Sequence, residues 1–133
     1  RTETGATLAR IDSVGVGGGV LDRLLEQGVP VEAFESAGRA NDAERYKNKR
    51  AEWFWYLREQ FRDNVIIMRK DDQAATELSR LKFRYDSAGH IVMESKEDAK
   101  RRGVGSPDRA DAIMMAFAGG SAPMPWKANV DFF

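Results

Sequence analysis

Three aspartates stand where carboxylate chemistry is easiest to arrange. Asp12 ends the short run Leu8-Ala9-Arg10-Ile11 and precedes Gly15, Gly17, Gly18 and Gly19. That places it at the carboxyl edge of a predicted strand, where α/β sheets bind their ligands. Asp108 and Asp111 are three residues apart in a helix-forming segment, so their side chains share one face. On that helix Ala110, Ile113, Met114 and Phe117 make the i, i+3, i+4, i+7 apolar stripe, and both aspartates project to one flank of it. Carboxylates brought together from separate elements form a cage of hard, anionic oxygens. Such a cage suits two Mg2+ or Mn2+ ions roughly 3.5–4 Å apart, with positions left for water and phosphate. Its natural reaction is phosphodiester cleavage. Each aspartate also has a structural explanation: Asp12 as a turn residue, and Asp108 as a first-turn acid favoured by the helix dipole. Asp111 lies between Ala110 and Ala112 in a helix apolar through Phe117, and a buried carboxylate needs a partner. A cation is one solution; an arginine such as Arg50 or Arg102 is the other.

These side chains need a frame, and the chain alternates predicted strands and helices. After the first strand the glycine cluster reads as a tight loop, and Val20 to Leu25 as a helix stopped by Gly28 and Pro30. Val31 to Phe34 fits a second strand, and the βαβ spacing favours parallel pairing. Asp42 to Asp63 is the longest helical candidate. At about 100° per residue Tyr46, Trp53, Phe54, Leu57 and Phe61 form one stripe, Arg50 falls inside it and Trp55 falls opposite. Val65 to Met68 suits an interior strand, and Asp71 or Asp72 is positioned to cap a helix reaching Leu81. Lys82–Tyr85 and His90–Glu94 flank Asp86-Ser87-Ala88-Gly89 as an antiparallel hairpin. A basic helix, Lys96 to Arg102, leads to Ser106-Pro107-Asp108, with Ser106 as N-cap and Pro107 as first helical residue of the last helix. The expectation is one α/β domain with a mixed sheet flanked by helices, over residues 1–119, and a tail, 120–133, that links or docks elsewhere.

Composition narrows the classes. With no cysteine, disulfide scaffolds, thiolate metal sites and cysteine nucleophiles are excluded, and a cytoplasmic setting is expected. No apolar run reaches the roughly 18–20 residues that cross a bilayer, and Arg1-Thr2-Glu3-Thr4 lacks a signal-peptide core. Lys+Arg and Asp+Glu are equal at 21 each, so a nucleic-acid contact must come from local patches. Lys49 and Arg50, with Lys96, Arg101, Arg102 and Arg109, are the candidates for a phosphate-contacting rim; the competing account pairs these helix faces with Glu44, Glu52, Glu97 and Asp98. His90 sits beside a turn and is read as structural.

Ser106-Pro107-Asp108-Arg109-Ala110-Asp111-Ala112-Ile113 resembles the closing motif of the large subunits of tailed-phage DNA-packaging terminases. Its Asp-x-x-Asp-Ala core is similar to the last motif of Holliday-junction resolvases of the same ribonuclease H-like superfamily. Ile11-Asp12-Ser13-Val14-Gly15-Val16-Gly17 resembles the terminase strand that presents the second catalytic acid. Tyr46-Lys47-Asn48-Lys49-Arg50-Ala51-Glu52, Glu94-Ser95-Lys96 and Lys100-Arg101-Arg102-Gly103 resemble the stretches between them, so the likeness runs in order from about Ala9 to Ala118. The resemblance implies a ribonuclease H-like nuclease domain in which Asp12, Asp108 and Asp111 hold two Mg2+ or Mn2+ ions and cut double-stranded DNA during viral genome packaging in the host cytoplasm. It also implies a small terminase subunit and a portal as partners. The family's first acid lies on a strand upstream of Asp12, and Arg1 to Ala9 offers only Glu3, in no matching context. A fragment is therefore expected, lacking the N-terminal strand or strands of its domain and the ATP-hydrolysing half further upstream.

Two rivals share some of these residues. Strand, Gly15-x-Gly17, helix, strand and Glu35 nearly match a dinucleotide-binding layout, although Val20 stands where Gly or Ala is wanted. The other rival is a catalytically incomplete domain that only binds DNA or a packaging partner.

Overall fold

The strand carrying Asp12 is β1, Ala9–Asp12, and it runs parallel to β2, Val31–Phe34, with Ala9 opposite Val31 and Asp12 opposite Phe34. Residues 5–118, apart from the side chains of 14–18, are described in a computed structural model of the protein. The crossover between the strands is α1, Ser13–Glu26, which corrects the expected glycine loop: the helix starts directly after Asp12 and takes Gly15 to Gly19 into its first turns. Glycine costs a helix entropy, about 1 kcal/mol each against alanine, rather than a clash. Packing of α1 on β1 and β2 offsets that cost. Because Gly15 and Gly17 are helical, they make no phosphate-cradling loop, and the dinucleotide-binding rival fails at its fingerprint.

The long helix is α2, Lys49–Arg62, shorter than expected because Asn48 caps it by accepting from the amide of Ala51. Residues 42–48 are turns held by Asp42, whose side chain accepts from Arg45 N, and by a bridge between Tyr46 and Ile91. Burial covers both sides of α2. Trp53, Phe54 and Leu57 join Phe34, Ile66, Ala110, Met114 and Phe117 in the main core, while Trp55 joins Tyr46, Ala51, Ala40 and Ile91 in a second one. Trp55, expected opposite the buried face, is thus itself buried. The helix is a wall between two cores.

Beyond α2, Val65 to Met68 forms no strand: Ile66 is buried, but Ile67 is 79% exposed. An apolar run becomes a strand only where another strand offers its backbone, and none lies alongside among the described residues. Helix α3, Asp72–Arg80, is capped by Asp71 through Ala74 N. The hairpin is β3, Phe83–Tyr85, paired antiparallel with β4, Ile91–Met93. The described residues hold two two-stranded sheets, one parallel and one antiparallel, so both kinds of pairing expected of a mixed α/β fold are present. Then come α4, Lys96–Arg101, capped by Ser95, and α5, Asp108–Phe117. The expected tail, 120–133, lies outside the described residues.

Two long-range contacts aim α5. At its N-terminus Ser106 does not cap: Pro107 occupies the N-cap position without a side-chain bond, and Ser106 Oγ donates to Asp108 instead. Glu77 of α3 takes over, its Oε2 accepting from Arg109 N at 3.1 Å and Ala110 N at 3.3 Å. At the other end Arg10 of β1 donates to the carbonyls of Met115 and Ala116, both at 3.2 Å, which satisfies two of the last-turn acceptors. Arg10 also pairs across the strands with Glu32 at 2.9 Å.

Candidate functional site

The anchoring by Arg10 brings two of the three candidate aspartates to one place. Strand β1 packs on α5. The carboxylates of Asp111 and Asp12 both raise the proton affinity of the same guanidinium, Arg50.

Arg50 is delivered by the sheet edge. Ser36, two residues past Phe34, donates from Oγ to Asp12 Oδ2 at 3.5 Å, and its carbonyl accepts the amide of Arg50 at 2.9 Å. The Arg50 side chain is 15% exposed. It lies over the ring of Phe54, donates from Nη1 to the carbonyl of Glu94 at 3.1 Å, and places Nη2 3.7 Å from Asp111 Oδ1. Burial pulls its pKa below the ordinary guanidinium value, against the opposing pull of Asp111 and then Asp12. Lys96, the first residue of α4, brings Nζ to 3.0 Å from the other oxygen, Asp111 Oδ2.

Two atoms here are buried without a hydrogen bond, Arg50 Nη2 and Asp111 Oδ1. They face each other at a distance too long to bond, so each carries a desolvation cost. A buried carboxylate oxygen left in that condition is a free, hard donor. Beside it opens a cavity of about 230 Å³ whose walls include Arg50, Arg80, Lys82, Lys96 and Arg102. The acids Glu77 and Glu94 also line it, so five cations face two carboxylates there.

Asp108 is placed differently. It is exposed, bonded to Ser106 Oγ. Among the described residues no three carboxylate or imidazole side chains converge on one point that could hold a metal ion. The geometry therefore brings Asp12 and Asp111 to a common cationic neighbour and leaves Asp108 at the entrance of its helix.

The basic candidates divide. Arg102 bonds Glu94 at 2.7 Å and the carbonyl of Arg80 at 2.7 Å, Arg101 pairs with Asp98 at 3.2 Å, and Arg109 with Asp71 at 2.7 Å. Lys49 lies with Arg10, Glu32 and Trp53 around a small cavity on the β1–β2 side. Ser36 escaped the sequence reading, although its place just past the carboxyl end of the neighbouring strand was a usable signal. The role of Lys96 beside Asp111 escaped it too, because nothing in the spacing of residues 96 and 111 shows that α4 and α5 meet.

No protein-family model matches the chain, and no curated protein matches it in sequence. Among solved structures it is similar to the nuclease domain of the large terminase subunit gp2 of bacterial virus Sf6, with a TM-score of 0.70 and 20% identity, covering 90% of this chain and 68% of that one. A lysine-to-alanine mutant of that domain with manganese and β-thujaplicinol gives a TM-score of 0.71 at 20% identity over 90% and 68% of the two chains. Another, with calcium, gives 0.70 at the same identity and coverage. The chain thus shares the α/β fold of that terminase nuclease domain.

Proposed function

We propose that this chain is the larger part of a metal-dependent endonuclease domain that cuts double-stranded DNA during viral genome packaging. The observation that carries the proposal is Asp111: a part-buried carboxylate with one buried oxygen that accepts no hydrogen bond and the other facing a lysine ammonium, and acting with Asp12 on the same guanidinium, Arg50. The donor set fits a divalent cation, since both groups are hard anionic oxygens. Asp12 and Asp111 would hold it, with Asp108 or an acid from an upstream strand completing the set. Bound there, Mg2+ or Mn2+ ions lower the pKa of water and neutralise charge on the phosphate. The chain's own residues do the rest: Arg50 balances the charge of the Asp111 carboxylate from the inner side, and Ser36 orients Asp12. Lys96, with Lys82 and Arg80 along the cavity, offers ammonium and guanidinium groups to the phosphates of the backbone. Contacts to phosphate rather than to base edges give low sequence preference. Manganese and calcium in the structures of the Sf6 domain support this choice of ion. ATP hydrolysis, the small terminase subunit and the portal belong to the longer protein in this reading.

The test is a plasmid-nicking assay in Mn2+ with the protein extended upstream by roughly one strand and hairpin, beside its Asp111→Asn variant. Cleavage by the former and its loss in the latter is the expected result; equal cleavage removes Asp111 from the site. A second reading, a domain that binds DNA or a partner without cutting, is favoured by the missing third ligand among the described residues. Thermal stabilisation by Mn2+ that disappears in Asp12→Asn argues against it.

A further inference from the structure

The cavity of about 230 Å³ beside Asp111 holds more positive charge than the fold itself consumes. Of the cations in its walls, Arg102 is spent on Glu94, at 2.7 and 3.0 Å, and on the carbonyl of Arg80 at 2.7 Å, while Arg50 and Lys96 share the single carboxylate of Asp111. The other lining acid, Glu77, is occupied by the amides of Arg109 and Ala110. Arg80 and Lys82 are left over. Both are exposed, and neither side chain has a carboxylate partner or a hydrogen bond among the described residues. Donors are in surplus as well: Arg50 Nη2 is buried without a hydrogen bond, and Ser95 Oγ accepts the amide of Asp98 at 3.1 Å while keeping its own hydrogen to give. Walls with two unspent cations and unused donors fit a compact dianion rich in acceptor oxygens.

We infer that this cavity is a binding site for a phosphate monoester, the group that ends a nucleic-acid strand. At neutral pH such a group carries a charge of about −1.5 to −2 and three acceptor oxygens. Arg80 and Lys82 match that charge, and Arg50, Lys96 and Ser95 supply donors; a diester inside a strand brings only a single charge. Size agrees. The cavity is smaller than the roughly 300–1,000 Å³ of sites that enclose drug-sized ligands, so the phosphate enters and the rest of the nucleotide stays outside. The source of the phosphate rests on the nuclease reading: when water adds across a phosphodiester P–O bond, one new end keeps the phosphate as a monoester and the other leaves as a hydroxyl. The cavity lies beside Asp111, where that phosphate is released, and holds the cut end. The site itself rests on the cavity alone, and inorganic phosphate has the same chemistry.

The test follows amide NMR signals of the 133-residue protein, without divalent metal, as inorganic phosphate is added in chloride buffer. Saturable shifts are expected at Thr76, Lys82, Ser95 and Val104, with binding weakened roughly 10-fold or more in Arg80→Gln/Lys82→Gln. Binding is retained in Arg69→Gln/Lys70→Gln, which removes the same charge from exposed positions outside the cavity. Asp111→Asn, the variant that stops nicking in the nuclease reading, retains or tightens phosphate binding because it removes a neighbouring anion, so the two readings fail separately. Fluorescence anisotropy with short duplexes ending in 5′-phosphate, 3′-phosphate or hydroxyl groups then identifies the source. A preference of about 10-fold for one phosphorylated end, lost in Arg80→Gln/Lys82→Gln, assigns the site to a cut strand; equal affinity for all three assigns it to the free anion. Shifts that do not saturate, that scatter over exposed lysines, or that weaken equally in Arg69→Gln/Lys70→Gln overturn the inference.

Discussion

Two carboxylates near the start of helices, the buried Glu52 on α2 and the part-buried Asp111 on α5, are treated in opposite ways. Glu52 is 3% exposed, and each of its oxygens accepts one backbone amide, from Asn41 at 3.0 Å and from Asp42 at 2.8 Å. Asp111 receives no backbone amide on its side chain; its oxygens face Lys96 at 3.0 Å and Arg50 at 3.7 Å, and one has no hydrogen bond. A fully satisfied buried carboxylate holds the chain together, here clamping residues 41 and 42 to α2. One left with an oxygen that accepts no hydrogen bond, between two cations, can accept a group that arrives from outside.

If that contrast is right, the two acids fail differently. Glu52→Ala leaves two amides without acceptors and is expected to cost about 4 kcal/mol by urea unfolding. In the upstream-extended protein, Asp111→Asn is expected to lower Mn2+-dependent nicking on the order of 100-fold or more, since even outer partners of a bound metal are worth up to that. Its stability should change by about 1 kcal/mol, because the amide oxygen still accepts from Lys96. A large loss of stability in Asp111→Asn would put it in the same class as Glu52. Arg50→Met removes one of the two cations facing a buried charge and is expected to cost roughly 2–3 kcal/mol; the double variant Arg50→Met/Asp111→Asn should recover part of that. The smallest effect concerns an exposed, satisfied acid. Asp71 has its pKa held below the ordinary carboxylate value by the amide of Ala74 and then by Arg109. A depressed pKa means that its contribution is present above the unfolded-state value and lost as the pH falls through the folded-state one. Circular dichroism should therefore show α3 fraying as the solution is taken below the usual carboxylate range, and Asp71→Asn should blunt that pH dependence.

The sequence made Asp111 and Arg50 legible because each breaks a local pattern. An acid sits between alanines in an apolar helix, and an arginine sits inside an aromatic stripe. Asp71, the hairpin and the parallel pair were legible for the same reason: their signals are local or periodic. Glu52 was not, since its partners are backbone amides ten residues away in a turn, and any residue supplies an amide. The capping of α5 by Glu77 was hidden in the same way, and Ser106 offered a plausible local substitute. The helix through Gly15 to Gly19 was misread because propensity is a weak prior beside packing, and Val65 to Met68 because an apolar run does not reveal whether a strand lies beside it.

The most direct measurement of the central claim is Mn2+ titration of the upstream-extended protein followed by paramagnetic broadening of its NMR signals. Broadening that sets in first and most strongly at Asp12, Asp111 and Lys96, and more weakly at Glu52, Asn41 and Asp42, is the result predicted. No broadening at Asp111 at Mn2+ concentrations that support nicking, or broadening equal at Glu52, contradicts it.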